Sequence, residues 1–221
     1  MNTLLRRRMM MGGNTNPPGV VFYNRLVFDG TAYVDTTVPV PENGSIRLYG
    51  GYETQKVMQR IFSADGVFDV YLNASTNNSN RYFSCCYGNT SAAISGTTLG
   101  LSFTYNSYGL FLTPKRVGYG TTTKTFTKGA TSPTNGIVFG QNYNHNSTPY
   151  TGKISGTIMI FGSDAQNATS FSDLSNNYTP VATLRPCTYL NEAGLWWVEQ
   201  GVFFGNSAGA GTLTVEEQLD S

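Results

Sequence analysis

The sequence of 221 residues is short of charged side chains. Only 12% of the residues are Asp, Glu, Lys or Arg, roughly half the usual share, and the formal net charge is +1. A chain with so little net charge has no overall field that would attract nucleic acid or an acidic substrate. We therefore expect no nucleic-acid partner.

Cysteines and long apolar stretches are also scarce. Cys85, Cys86 and Cys187 are too few for a disulfide framework, and two of them are adjacent, so we expect free thiols that serve as small buried residues. No stretch approaches the roughly 20 apolar residues of a membrane span. The N-terminal segment also lacks the apolar core of a signal peptide. These absences predict synthesis in the cytoplasm, without a secretion signal and without membrane insertion.

What the sequence does contain is a repeated strand-and-turn pattern. Short alternating apolar stretches recur between Gly, Asn and Ser turns about every 8 to 12 residues, with no sustained helical period. One example is residues 45–52, and Asp65-Gly66 is a strong hairpin signal. A single helical turn is expected near residues 171–174, and Trp196-Trp197 and Phe203-Phe204 should each direct one ring inward. The pattern predicts one all-β antiparallel sandwich over residues 20–221.

A separate N-terminal arm is predicted over residues 1–19, before and including a Pro-Pro-Gly break. Apolar side chains in such a segment gain little unless something buries them. We expect the arm to anchor the domain on another subunit, in an acidic groove; the alternative is an arm folded back on its own domain. The anchoring residues would be Leu4, Leu5, Arg6, Arg7, Arg8, Met9, Met10 and Met11.

Two parts of the sequence resemble a known family. The first is Phe28-Asp29-Gly30-Thr31-Ala32-Tyr33-Val34-Asp35-Thr36, and the second comprises Arg185-Pro186-Cys187, Gly194-Leu195-Trp196 and Gly201-Val202-Phe203-Phe204-Gly205-Asn206. Both resemble concanavalin A-like (laminin G-like) jelly-roll domains of bacteriophage virion proteins. In that family an Asp follows the Gly-Leu-Tyr motif, whereas Trp197 stands here.

The resemblance implies a jelly-roll fold, a place in a virion and the recognition of sugars. The partners would be other virion proteins, namely capsid, fibre or tail subunits, in a homo-oligomeric or multicopy assembly, together with a host glycan. The leading hypothesis is therefore a non-enzymatic virion structural protein, such as a capsid decoration, head fibre or tail-associated module. The alternative is a lectin-like adhesin for host recognition.

The patterns typical of catalysis are incomplete. Ser207 lies in a Gly-x-Ser-x-Gly pattern, but the only histidine, His145, precedes it, and a strand rather than a helix is expected to follow. A glycoside hydrolase, the minor alternative, needs two facing carboxylates, whereas Asp65 and Asp69 straddle a hairpin. Metal-ligand spacings are also missing. We expect no enzymatic activity, no metal and no cofactor.

One polar loop is the best candidate for contact with a sugar. Amides can bond pairs of hydroxyl groups, and tyrosine rings can cover the apolar face of a pyranose. The alternative is an ordinary hairpin loop whose Asn and Pro residues serve turn geometry. The candidate residues are Asn142, Tyr143, Asn144, His145, Asn146 and Tyr150.

Overall fold

The computed structural model describes residues 16–52, 59–74, 81–88, 90–95, 108–145 and 149–219. The anchoring-arm residues 4–11 and the loop residue Asn146 lie outside these ranges. Strands are numbered below in chain order along the described residues.

The larger sheet contains ten of the described strands, all paired antiparallel, in the order β10-β9-β8-β3-β12-β1-β13-β14-β15, with β16 also paired to β1. Its centre is β12, which pairs with β3, β1 and β13 along different parts of its length. The bounds are β1 Val20–Asp29, β3 Ser45–Tyr52, β8 Tyr108–Leu112, β9 Arg116–Tyr119, β10 Thr122–Thr125, β12 Thr151–Phe161, β13 Pro180–Tyr189, β14 Glu192–Trp197, β15 Val202–Phe204 and β16 Leu213–Gln218.

The smaller sheet contains six of the described strands, also antiparallel, in the order β2-β11-β4-β5-β6-β7. The short strand β2 lies at one edge of this sheet and pairs with β11, which comes much later in the chain. The β4–β5 and β6–β7 hairpins form the rest of the sheet. The bounds are β2 Val34–Thr36, β4 Gln59–Ala64, β5 Phe68–Ala74, β6 Arg81–Tyr87, β7 Thr90–Ser95 and β11 Ile137–Phe139.

The two sheets share one apolar core. It takes side chains such as Leu26, Phe28 and Ile154 from the larger sheet and Phe62 and Val70 from the smaller one, each fully buried. The sheets are also linked by a buried hydrogen bond, in which the Tyr87 hydroxyl donates to the Gly44 carbonyl oxygen at 2.6 Å. The prediction of an all-β antiparallel sandwich is confirmed.

Several local predictions are confirmed as well. Residues 45–52 form β3, and the hairpin at Asp65-Gly66 joins β4 to β5, although its turn contains three residues, 65–67, rather than two. Trp196 joins an outer cluster with Phe22 and Cys187, whereas Trp197 packs against the central core, as alternation along a strand requires. The cysteines are free, with Cys85 and Cys187 buried and Cys86 half-buried.

A short α-helix, Phe171–Asn177, covers part of the outer face of the larger sheet and confirms the expected helical turn. Its Ser170 N-cap accepts a hydrogen bond from the Asp173 amide, which satisfies one free donor of the first turn. Leu174 is buried with Phe111 and Phe161, beside a 3-10 helix at Ser163–Asn167. Within the described ranges, no helix is long and apolar enough to cross a membrane.

Candidate functional site

The site begins with a turn that Asp29 organises at the end of β1. Asp29 Oδ1 accepts hydrogen bonds from the amides of Thr31 and Ala32 at 2.8 and 2.9 Å, and Oδ2 accepts one from the Thr212 amide. Partial burial alone would raise the pKa of this carboxyl, but these backbone donors together hold it below its ordinary value. The carboxylate thus ties the turn before β2 to the start of β16.

A second loop, residues 205–212, is attached to the same turn. The Ser207 amide donates to the Tyr33 carbonyl oxygen at 2.8 Å, and the Asp35 amide donates to Ser207 Oγ at 3.0 Å. The loop that contains Ser207 and the segment that contains Tyr33 and Asp35 therefore meet here.

The pairing of β2 with β11 brings a third segment to this place. Phe139, the last residue of β11, is opposite Val34, the first residue of β2, so the loop after β11 starts beside Tyr33. That loop turns at residues 142–145, where the His145 amide donates to the Asn142 carbonyl oxygen at 3.0 Å. His145 takes a left-handed backbone conformation, with φ of 55°.

His145 then contacts the half-buried Tyr33 and the exposed Asp35 of the β2 segment. Its ring stacks on Tyr33, with centroids 4.5 Å apart and planes inclined by 19°. Its Nε2 lies 3.6 Å from Asp35 Oδ2, which is an ion pair only when the imidazole is protonated. The Tyr143 ring is 43% exposed on the same turn, and Asn142 and Asn144 flank it.

We call the set Tyr33, Asp35, Asn142, Tyr143, Asn144 and His145 the rim cluster. It offers aromatic surface, an exposed carboxylate and amide groups, which together suit hydroxyl-rich ligands. Sequence reasoning missed Tyr33 and Asp35 as site residues. The alternation of Val34, Asp35 and Thr36, buried, exposed and buried, was the available signal that Asp35 faces solvent.

The prediction for Tyr150 as a sugar-contacting ring is wrong. Its side chain is fully buried, its ring packs against Phe28 at 5.6 Å, and its hydroxyl lies against the carbonyl oxygens of Gly51 and Lys153. The reason is that Tyr150 directly precedes β12, where its ring points into the core between the sheets. Tyr150 is therefore part of the core beneath the loop, and its ring offers no face to a ligand.

Ser207, Asp35 and His145 lie close together, although they are far apart in sequence. Their contacts differ from those of a nucleophilic triad, in which a histidine accepts the serine proton. The Ser207 hydroxyl oxygen accepts from the backbone amide of Asp35, and among the described residues it makes no hydrogen bond to His145. Ser207 therefore holds the loop to β2.

The carboxylates of Asp65 and Asp69 do not form a facing pair either. Asp65 is exposed in the hairpin turn, while Asp69 on β5 lies against Arg60, with Nε and Oδ2 2.8 Å apart. Arg60 also stacks over the Tyr71 ring at 4.2 Å. Because Asp69 and Tyr71 alternate with the core residues Phe68 and Val70, this cluster faces away from the core.

Metal ligation finds no support in the part of the chain that the structure describes, where no three His, Cys, Asp or Glu side chains are grouped for it.

Comparison of the sequence with protein-family models and with curated proteins finds no match.

Proposed function

We propose that this chain is a non-enzymatic component of a bacteriophage virion, a jelly-roll sandwich of the concanavalin A-like kind that displays the rim cluster to glycans of the host surface. The jelly-roll connectivity and the virion setting follow from the sequence resemblance. The observation that carries the glycan-binding part is the stacked pair of Tyr33 and His145 beside the Asp35 carboxylate.

The chemistry of the rim cluster supports weak binding to single sugars. A ring that stacks on a pyranose contributes on the order of 1 kcal/mol, and a few exposed hydrogen bonds add little more. A single domain would therefore bind with about millimolar affinity. Adhesion would come from many copies on one particle, because a tethered neighbour raises the effective concentration.

A multivalent display tests this proposal. The domain, biotinylated and clustered on streptavidin-coated beads, is incubated with a panel of bacterial cells, and bound beads are counted. Asp35→Asn combined with Tyr143→Ala should lower binding by about tenfold, because it removes an acceptor and an exposed ring. The matched control combines Asp65→Asn with Leu190→Ala, which alters an exposed carboxylate and an exposed apolar side chain elsewhere.

Two outcomes would contradict the proposal. One is a clustered wild-type domain that binds neither any cell nor any surface glycan. The other is an equal loss of binding in the rim variant and in its control, since the rim cluster would then have no particular part in adhesion.

A further inference from the structure

A depression in the surface is lined by residues outside the rim cluster. It has a volume of about 550 Å³, within the usual range of small-molecule pockets. Its walls are the β8–β9 turn, the segment that follows β10, and the 3-10 helix. We call it the cationic pocket, because Lys115, Arg116 and Lys128 line it, together with Phe126, Gln166 and Asn167.

Local hydrogen bonds fix the backbone that carries two of these cations. Buried Thr113 Oγ1 accepts from the amides of Lys115 and Arg116 at 3.2 and 3.0 Å. The Phe126 amide donates to the Lys115 carbonyl oxygen at 3.0 Å, which attaches the segment bearing Lys128 to the same turn. Phe126 itself packs against the central core. Backbone motion in this wall is therefore restricted.

The polar side chains of the pocket are only partly engaged. Lys115 Nζ donates to Asn167 Oδ1 at 2.7 Å and links the turn to the 3-10 helix. Within the described ranges, Arg116 and Lys128 form no ion pair. By contrast, Arg25, Arg60 and Lys153 each contact a carboxylate.

The stretch of sequence that contains Arg116 and Lys128 also lacks carboxylates that could pair with them. No Asp or Glu occurs between Asp69 and Asp164, and no carboxylate is among the residues that line the pocket. Three cations therefore line one depression whose lining residues include no carboxylate, although Asp164 belongs to the same 3-10 helix as Gln166 and Asn167. A concave surface lined by one sign of charge concentrates ions of the opposite sign.

We propose that the cationic pocket binds the carboxylate groups of an acidic polysaccharide. Arg116 and Lys128 would supply charge-assisted hydrogen bonds to the anion, since these are the strong contacts available to such groups. The amides of Gln166 and Asn167 suit neighbouring sugar hydroxyls, and Phe126 supplies an apolar edge. This binding does not require the rim cluster, so the two sites can be tested separately.

The test is a calorimetric titration of the full chain with an oligomer of galacturonic acid and, in parallel, with a neutral galactose oligomer. The acidic oligomer should bind more tightly than the neutral one, and its affinity should fall as salt is added. Arg116→Gln and Lys128→Gln should each weaken binding by about three- to tenfold, in keeping with the loss of a charged hydrogen bond at an open site.

Lys124→Gln is the matched control. Lys124 is an exposed cation on β10, four residues before Lys128, and it does not line the pocket. Its variant should keep the wild-type affinity. Melting temperatures of all variants should match that of the wild type and would show that the fold is intact.

Three results would overturn the proposal. Equal binding of the neutral oligomer would show that charge has no part. An equal loss in Lys124→Gln and Lys128→Gln would show attraction by diffuse surface charge. Tighter binding of inorganic phosphate or of a short single-stranded oligonucleotide than of the acidic sugar would assign the pocket to another ligand.

Discussion

At the scale of single residues, Asp69 combines a contact with arginine and a raised pKa. Burial raises the pKa of its carboxyl to about 6, and the nearby Arg60 guanidinium and the Val70 amide offset this only in part. The burial cost outweighs the attraction because the carboxylate loses most of its hydration in this position. The folded state therefore holds the Asp69 proton more tightly than the unfolded chain does.

This difference predicts how stability depends on pH. As the pH rises from about 4 to about 6, the unfolded chain loses the Asp69 proton first, so the free energy of unfolding should fall by up to about 3 kcal/mol over this interval. Asp69→Asn should remove that fall. The measurement is urea denaturation at a series of pH values, with Asp65→Asn in the exposed turn as the control. Parallel curves for the wild type and Asp69→Asn would show that the prediction is wrong.

At the scale of elements, the turns that join strands from distant parts of the chain determine the rim cluster. The Asp29 carboxylate contacts the amides of Thr31, Ala32 and Thr212, which belong to the turn before β2 and to the start of β16. Because one carboxylate satisfies three donors, its loss affects two connections at once. In sequence, Tyr33 and Asp35 lie between these two connections, just after the turn before β2.

Asp29→Ala should therefore destabilise the domain and weaken the rim cluster together. We expect the free energy of unfolding at neutral pH to fall by about 2 kcal/mol, a value typical for lost hydrogen bonds to a charged group. Since its pKa is lowered, the Asp29 contribution should be present above the ordinary carboxyl pKa and lost as the pH falls below it. Chemical denaturation at neutral and acidic pH measures both effects. Asp29→Asn, which retains one acceptor oxygen, should lie between the two proteins.

Sequence patterns predicted the elements better than their pairing. Alternation located β3 and the opposite placement of Trp196 and Trp197, because side-chain direction in a strand depends only on neighbours in sequence. It could not show that β2 pairs with β11, about a hundred residues later, and so missed Tyr33 and Asp35. Tyr150 was misplaced because a residue between a loop and a strand can point to either side.

At the scale of the whole molecule, the sandwich and the arm are predicted to have separate roles. The first described strand begins at Val20, after a turn in which the Val20 amide donates to the Pro17 carbonyl oxygen at 3.0 Å. Among the described residues, every member of the central core follows that turn.

Deletion of residues 1–16 should therefore leave the domain folded and abolish its incorporation into virions. Circular dichroism and thermal melting check the fold, and quantitative mass spectrometry of purified particles checks occupancy. Particles that contain the truncated chain at normal occupancy would show that the arm is not the anchor. A truncated chain that fails to fold would instead favour an arm packed on its own domain.

The most direct test of the glycan-binding claim is to map the contact by NMR. Backbone amide resonances of the isotope-labelled chain are followed during titration with oligosaccharides released from cells that the clustered domain binds. The largest shifts should occur at Tyr33, Asp35 and residues 142–145, with a midpoint of about millimolar concentration. Shifts confined to other surfaces, or none at saturating sugar, would contradict it.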